Sequence, residues 1–423
     1  MGSAIMNLSL NTEEPNIMHI DLNSCFATVE QQARPHLRGK PLGITNRISP
    51  HCCMIALSYE AKAHGAKVGM SYPEAKALAP GLVVLETDPP KYHYAYQKLA
   101  AIMKSYSPNI TMKSIDEGII DFHGTRQAIH RRSLESIGYE IKQRLKDELG
   151  SWMRCNIGIA PNRFLAKLAA GLHKPDGMDR IDSTNLRDIY DSLKLTDLPG
   201  IAEHYQARLN ASGIFTPLEF LEATSDTLRR FVFHSVVGED WYRRLRGWEA
   251  DDAKTNLGIV GRQFVMDTRT NDEAIILPRL HYLCQTTGMK LRFNGVSARG
   301  VIVWAGFANG EGWYQRKMFK TTFYTDQEIY RRALLLFNTR PKHMKIASLG
   351  ITCYQLNPST RSQVSLLDTI NKAEWLTQAV DTINDRYGTF TVTYANALEG
   401  KKVVKQKIPF GGTKYFELLL KRA

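Results

Sequence analysis

At 423 residues the chain is too long for one hydrophobic core, and with 43% hydrophobic and 23% charged residues it has the composition of a folded protein of roughly two to four domains. No apolar run approaches the roughly 20 residues needed to span a bilayer, and residues 1–16 lack the pattern of a signal peptide, so a flexible leader is expected there. The net charge of +13 points to a polyanionic partner, and residues 254–345 concentrate it, with fifteen Lys/Arg against six Asp/Glu. Six cysteines (Cys25, Cys52, Cys53, Cys155, Cys284, Cys353) contain no Cys-x-x-Cys pair, which argues against a disulfide framework or a zinc site and for the cytosol.

From residue 17 to 181 short apolar runs alternate with longer amphipathic ones. The spacing predicts strands at 17–22, 54–59, 82–85, 110–114, 118–122 and 154–160, with helices at 24–34, 91–106, 133–149 and 162–171. That order predicts a split βαβ, ferredoxin-like sheet with an insertion near residues 35–80, in which the first strand lies beside the hairpin 110–122. Asp21 ends the first strand and Asp116-Glu117 occupies the turn of the hairpin, so the three carboxylates are expected to meet at one edge. A lone Asp-Glu after a strand is usually a solvated turn. With Asp21 beside it, the arrangement suits a pair of Mg²⁺ ions about 3.5–4 Å apart, which would stabilise the attacking and leaving oxygens of a phosphoryl or nucleotidyl transfer.

After Asp182 the pattern turns helical. Leu198-Pro-Gly-Ile-Ala202 followed by a helix at 203–212 reads as a helix-hairpin-helix, with the backbone of Pro199, Gly200, Ile201 and Ala202 presented to a DNA phosphate. The acidic Glu249-Ala-Asp-Asp252 reads as a linker. Beyond residue 256 strands return around helices at 277–290 and 326–337, a second α+β domain carrying the basic stretch, with Arg262 and Arg299 as its expected DNA contacts. A polar segment at 357–361 opens a tail to residue 423 with its own helix at 373–387.

Six motifs in order carry a family resemblance. They are His19-Ile-Asp-Leu-Asn-Ser-Cys-Phe-Ala-Thr-Val-Glu30, Ala56-Leu-Ser-Tyr-Glu-Ala-Lys62, Ser114-Ile-Asp-Glu117, Gly158-Ile-Ala-Pro-Asn-Arg-Phe-Leu-Ala-Lys167, His173-Lys-Pro-Asp-Gly177 and Leu198-Pro-Gly-Ile201. With them the chain resembles a Y-family translesion DNA polymerase of the UmuC/DinB type from about residue 17 to 368. The resemblance implies an α+β, right-hand polymerase. Its parts would be a ferredoxin-like palm at 17–34 and 79–178, small fingers at 35–78, a helical thumb with the helix-hairpin-helix at 179–253, a little finger at 254–356 and a tail at 357–423.

It further implies that Asp21, Asp116 and Glu117 are catalytic and, with the carbonyl of Leu22, hold two Mg²⁺ ions for which Mn²⁺ can substitute. Phe26 would be the steric gate against a 2′-OH, and Tyr59, Lys62 and Lys174 would grip the triphosphate of the incoming dNTP. The implied activity is low-fidelity extension of a primer 3′-OH past damaged template bases, by a monomer acting on primer-template DNA in the cytoplasm at the nucleoid, with no membrane partner. Two positions depart from the family pattern. Lys62 stands where arginine is common, which exchanges a bidentate fork for a point charge, and Asn23 stands where many relatives carry another acid.

A catalytically weak relative serving as a scaffold at stalled forks is the rival reading; it predicts loss of a metal carboxylate, and all three are present. Finally, Gln363-Val-Ser-Leu-Leu-Asp368 resembles the motif that bacterial polymerases insert into a sliding clamp, with Gln363 at the pocket rim and Leu366 and Leu367 as apolar anchors.

Overall fold

The computed structural model describes residues 8–48, 52–125, 132–251, 257–358 and 368–404. The chain divides after residue 253 into two compact units.

The first unit is built on a five-stranded sheet of order β5-β6-β1-β7-β8, from β1 (Ile17–Leu22), β5 (Ile110–Met112), β6 (Glu117–Asp121), β7 (Cys155–Ala160) and β8 (Met178–Arg180). Central β1 runs antiparallel to both β6 and β7, and β8 runs parallel to β7. Both faces of the sheet are covered, which is why β1 and β7 read as continuous apolar runs. Helices Pro89–Lys104 and Leu134–Leu149 take one face, where a Cβ on Gly138 would strike the Met178 side chain. Helix Arg163–Leu172 takes the other and approaches so closely that a Cβ on Gly158 would lie 2.0 Å from the Ala166 carbonyl oxygen. Side chains alternate along a strand, so Gly158, its partner His19, and Asp21 two residues on all belong to this second face.

Between β1 and β5 a small sheet, β3-β2-β4, is inserted from β2 (Leu42–Thr45), β3 (Met54–Leu57) and β4 (Val83–Glu86). The sequence reading missed β2 and drew the boundary at residue 79. Instead β4 pairs in parallel with β2, Leu42 opposite Val83, and Ala79 and Leu82 are buried with Met54, Leu57 and Ala75, so the inserted body runs to Glu86. A four-residue strand buried on both faces has no period of its own, and only its partners identify it.

The helical remainder, from Leu186–Ser192 to Val237–Leu245, shares one core with helix Arg163–Leu172, in which Tyr190, Phe220 and Trp241 are the large buried side chains.

The second unit is a four-stranded antiparallel sheet, β11-β10-β12-β9, of β9 (Ile259–Thr270), β10 (Val296–Phe307), β11 (Gly312–Phe323) and β12 (Ile346–Pro358). Helices Glu273–Phe293 and Asp326–Phe337 bury one face through Leu280, Leu283, Ile329 and Phe337 against Val301, Val303, Leu349 and Ile351. The first helix starts four residues earlier than expected, because Asp272 caps it, and Pro278 is carried inside it. Helix Asp368–Tyr387 likewise begins five residues ahead of the expected start, and Arg292 ties it to this unit through Asp381.

Candidate active site

Backbone pairing assembles the acidic edge. Asp21 on β1 is the direct cross-strand partner of Glu117 on β6, and the next N–H along β1, that of Leu22, donates to the Asp116 carbonyl oxygen at 2.8 Å. The hairpin turn is locked by Ser114, whose Oγ accepts from the N–H of Asp116 at 3.3 Å and of Glu117 at 3.1 Å while its hydroxyl donates to the Asp116 carboxylate. Strand register thus brings together the three residues that ninety-five positions of sequence separate.

Electrostatics mark the three as a concentrated negative site. Burial raises the Asp116 carboxyl above the usual range; the Ser114 hydroxyl opposes this, and the charges of Asp21 and Glu117 reinforce it. Burial also disfavours the Glu117 carboxylate, but the contacts of His19 and Lys167 outweigh it and hold that carboxyl down to about 2. Among the described residues no three His, Cys, Asp or Glu form a closed metal cage as they stand. Lys174 pairs with Asp21 and Lys167 with Glu117 at 2.7 Å, so cations already sit on two of the carboxylates. Three carboxylates and a backbone carbonyl are a hard-oxygen donor set that fits divalent ions such as Mg²⁺.

Phe26 is the second residue of helix Cys25–Ala33, whose cap position, Ser24, adopts a left-handed backbone with φ 45°. Its ring is 7% exposed and stacks on Tyr92 at 4.5 Å and 20°, while the Tyr92 hydroxyl donates to Glu30 at 3.0 Å. The ring is therefore held in one place. Tyr59 and Lys62 occupy the short helix Tyr59–Ala63, capped by Ser58. Lys62 Nζ lies 4.7 Å from the Tyr59 ring centroid and donates to Ser24 Oγ at 2.8 Å. Burial pushes its ammonium below the ordinary range, and neighbouring Lys174 pushes it further. Two crowded ammonium groups next to Asp21 leave a place for a strongly anionic group. The sequence-read residues of this site thus converge within one unit.

Several contributors escaped the sequence reading. Asn23, noted only as a missing acid, is a buried brace: its Oδ1 accepts from the Asp176 N–H at 2.8 Å and its Nδ2 donates to Asn156 at 2.9 Å, which fixes the loop bearing Lys174. His19 and Lys167 flank Glu117, Ser24 accepts from Lys62, and Tyr92 stacks on Phe26. His19 and Lys167 lie in quoted motifs, but their contacts arise only when β1, β6 and helix Arg163–Leu172 pack together.

At the hairpin, Gly200 has φ +93°, a conformation that a side chain would strain, and Leu198 and Ile201 are buried anchors on either side. Helix Glu203–Ala211 starts at Ala202 without a side-chain cap, so Pro199, Gly200, Ile201 and Ala202 lead into first-turn N–H groups that a phosphate can satisfy. In the second unit Arg262 and Arg299, the expected DNA contacts, are both half-buried. Arg262 shares its strand face with Val260 and Phe264, which pack against the core, and lies beside Tyr282 and Lys290; burial there lowers its guanidinium below the ordinary range. Arg299 is half-buried in β10, with a buried Nε that meets no partner among the described residues. Strand parity over twelve residues with a bulge decided both positions, and sequence alone did not supply it. Gln363, Leu366 and Leu367 lie outside the described residues.

Within the first unit, an acidic sheet edge thus lies among the ammonium groups of Lys62, Lys167 and Lys174. Residues 20–171 match the impB/mucB/samB family and residues 259–366 match that family's C-terminal domain. DNA polymerase IV of Staphylococcus aureus strain Newman is 28% identical over 360 residues, covering 84% of this chain and 99% of that protein. The strain JH9 protein of the same name is 27% identical over the same span. Among solved structures, a Y-family DNA polymerase chimera, Dbh-Dpo4(243-245)-Dbh, superposes with a TM-score of 0.69 at 23% identity, covering 80% of this chain and 98% of that one. DinB from Sulfolobus solfataricus gives 0.51 at 23% identity with the same coverage. The chain belongs to the Y family of DinB/UmuC-type polymerases, and its α+β architecture is the one these structures share.

Proposed function

We propose that this chain is a DNA-directed DNA polymerase of the Y family that extends a primer 3′-OH across damaged template bases, with Asp21, Asp116 and Glu117 as the residues that hold its metals. The observation that carries the reading is the Asp21–Glu117 cross-strand pair with Asp116 hydrogen-bonded to β1 beside it. Asp21, Asp116, Glu117 and the Leu22 carbonyl would hold two Mg²⁺, which when bound activate the 3′-OH and neutralise charge on the triphosphate. Lys62, Lys174 and Tyr59 bind and orient that triphosphate, and Phe26, pinned by Tyr92, occupies the space a 2′-OH would need. The short inserted body, residues 35–86, leaves room for a distorted base.

Primer-template DNA would be gripped by the hairpin at Gly200 and by the uncovered face of the second unit's sheet. On that face Tyr354 lies over Gly300 and Trp304 over Gly350, with Arg316 5.4 Å from the Tyr354 ring. The four strands contain a single acidic residue, Asp267, and it is paired with Arg279. An aromatic and basic face of this kind favours nucleic acid. Among the described residues no helix is long and apolar enough to cross a membrane, and the proposed workplace is chromosomal DNA in the cytoplasm. Gln363, Leu366 and Leu367 would tether the enzyme, as a monomer, to a sliding clamp and so raise its local concentration at the primer end.

Primer extension with Mg²⁺ on undamaged and lesion-bearing templates tests the reading. Extension of both, abolished by chelation, supports it; absence of any templated addition would refute it. Alanine at the three clamp positions should remove clamp stimulation and spare clamp-free extension.

A further inference from the structure

His19 is almost wholly buried, at 1% exposure, on the central strand of the sheet, a place that ordinarily favours an apolar side chain. It lies two residues before Asp21 and therefore on the same face of β1. Its Nε2 lies 3.3 Å from Glu117 Oε2, close enough for an ion pair though not aligned as a hydrogen bond, and neither ring nitrogen has a hydrogen-bond partner among the described residues. Leaving a buried imidazole unpaired costs about 1–3 kcal/mol, so the carboxylate is the group that can offset its burial. Lys167 donates to the same oxygen at 2.7 Å from helix Arg163–Leu172. Both cationic groups thus approach Oε2, and Oε1 is left without a partner among the described residues.

We infer that His19 is a positioning residue for the metal site: together with Lys167 it holds Glu117 by Oε2 so that Oε1 is presented to the ion. This rests on the reading of Glu117 as a metal ligand. The two partners differ in kind. Lys167 is about half exposed on a flexible stem and can give way as an ion enters, whereas His19 is fixed by the sheet and keeps the carboxylate's orientation through the exchange. Groups that orient a metal ligand typically account for about 10–100-fold in metal affinity or activity.

The test is Mn²⁺ binding to the full chain with primer-template DNA, read by electron paramagnetic resonance, alongside steady-state primer extension. His19→Leu should weaken Mn²⁺ binding about 10–100-fold and lower kcat, with little change in the KM for dNTP or in DNA affinity. His19→Gln, whose amide can place an N–H near the Nε2 position, should recover most of the loss. Wild-type Mn²⁺ affinity in His19→Leu would overturn the inference. Equal losses in the Leu and Gln variants with a common fall in Tm would also overturn it, since they would mark His19 as packing alone. Glu117→Gln separates the two levels: if it leaves Mn²⁺ binding intact, the reading of the site itself fails. If it weakens binding while His19→Leu does not, only the positioning role fails.

Discussion

Asp21 and Glu117 face each other directly across the β1–β6 ladder, so two carboxylates that repel are held side by side by backbone hydrogen bonds. Like charges directly opposite in a sheet are destabilising, and half-buried Asp116 adds a third. The fold retains these charges at a cost in stability, as expected where a site is built to bind a counter-charge that arrives with the substrate.

Asp116→Asn should therefore raise the stability of the metal-free protein by about 1 kcal/mol while removing activity. Thermal unfolding in the presence of a chelator measures it. A fall in Tm would mean that the Asp116 carboxylate is a structural partner of Ser114 above all.

Phe26 is held by Tyr92 and by its place on the first turn of its helix, so its ring acts as a fixed wall. Phe26→Ala should raise the ratio of ribonucleotide to deoxynucleotide kcat/KM by at least about tenfold, equivalent to about 1.4 kcal/mol of lost discrimination. An unchanged ratio would assign Phe26 to the core.

Lys62 and Lys174 are crowded together beside Asp21, a crowding that an anionic ligand would relieve. Lys174→Ala should raise the KM for dNTP about tenfold or more and leave primer-template affinity unaltered. Lys62→Arg should lower that KM, because a guanidinium engages phosphate with two hydrogen bonds. Competition titrations with a dNTP on a dideoxy-terminated primer separate the two effects.

In the second unit His281 is stacked 3.9 Å from Tyr330 and 5.1 Å from Tyr394, and burial pushes its imidazole down to about 4. The unfolded chain, with an ordinary value near 6.5, then binds more protons than the folded one between those two pH values. Stability should be intact above pH 6.5, decline as the pH falls toward 4, and change no further from this group below it. The loss is on the order of 3 kcal/mol. His281→Phe should flatten the dependence of Tm on pH in that window; an unchanged slope would clear His281 of the role.

Much of the site was legible because its chemistry is carried by short local strings. Asp21 at a strand end and Asp116-Glu117 in a hairpin turn announce their placement through hydrophobic pattern and turn position, and register then unites them. Asn23, His19 and Lys167 were opaque for the opposite reason. Their partners lie 153, 98 and 50 residues away in sequence, so their roles exist only after packing. The small sheet was misjudged at β4 because an isolated four-residue strand says nothing about which neighbour it pairs with. The partial burial of Arg262 was not legible, because a rich basic composition locates a domain's charge without saying which face of a strand bears it.

The central claim is that Asp116, with Asp21 and Glu117, holds the metals and does little else for the DNA. Paired measurement of primer extension and primer-template Kd for Asp116→Ala tests it most directly. The account predicts loss of detectable extension with Kd within about twofold of wild type, since DNA is held by many phosphate contacts elsewhere. Extension at the wild-type rate in this variant would contradict it.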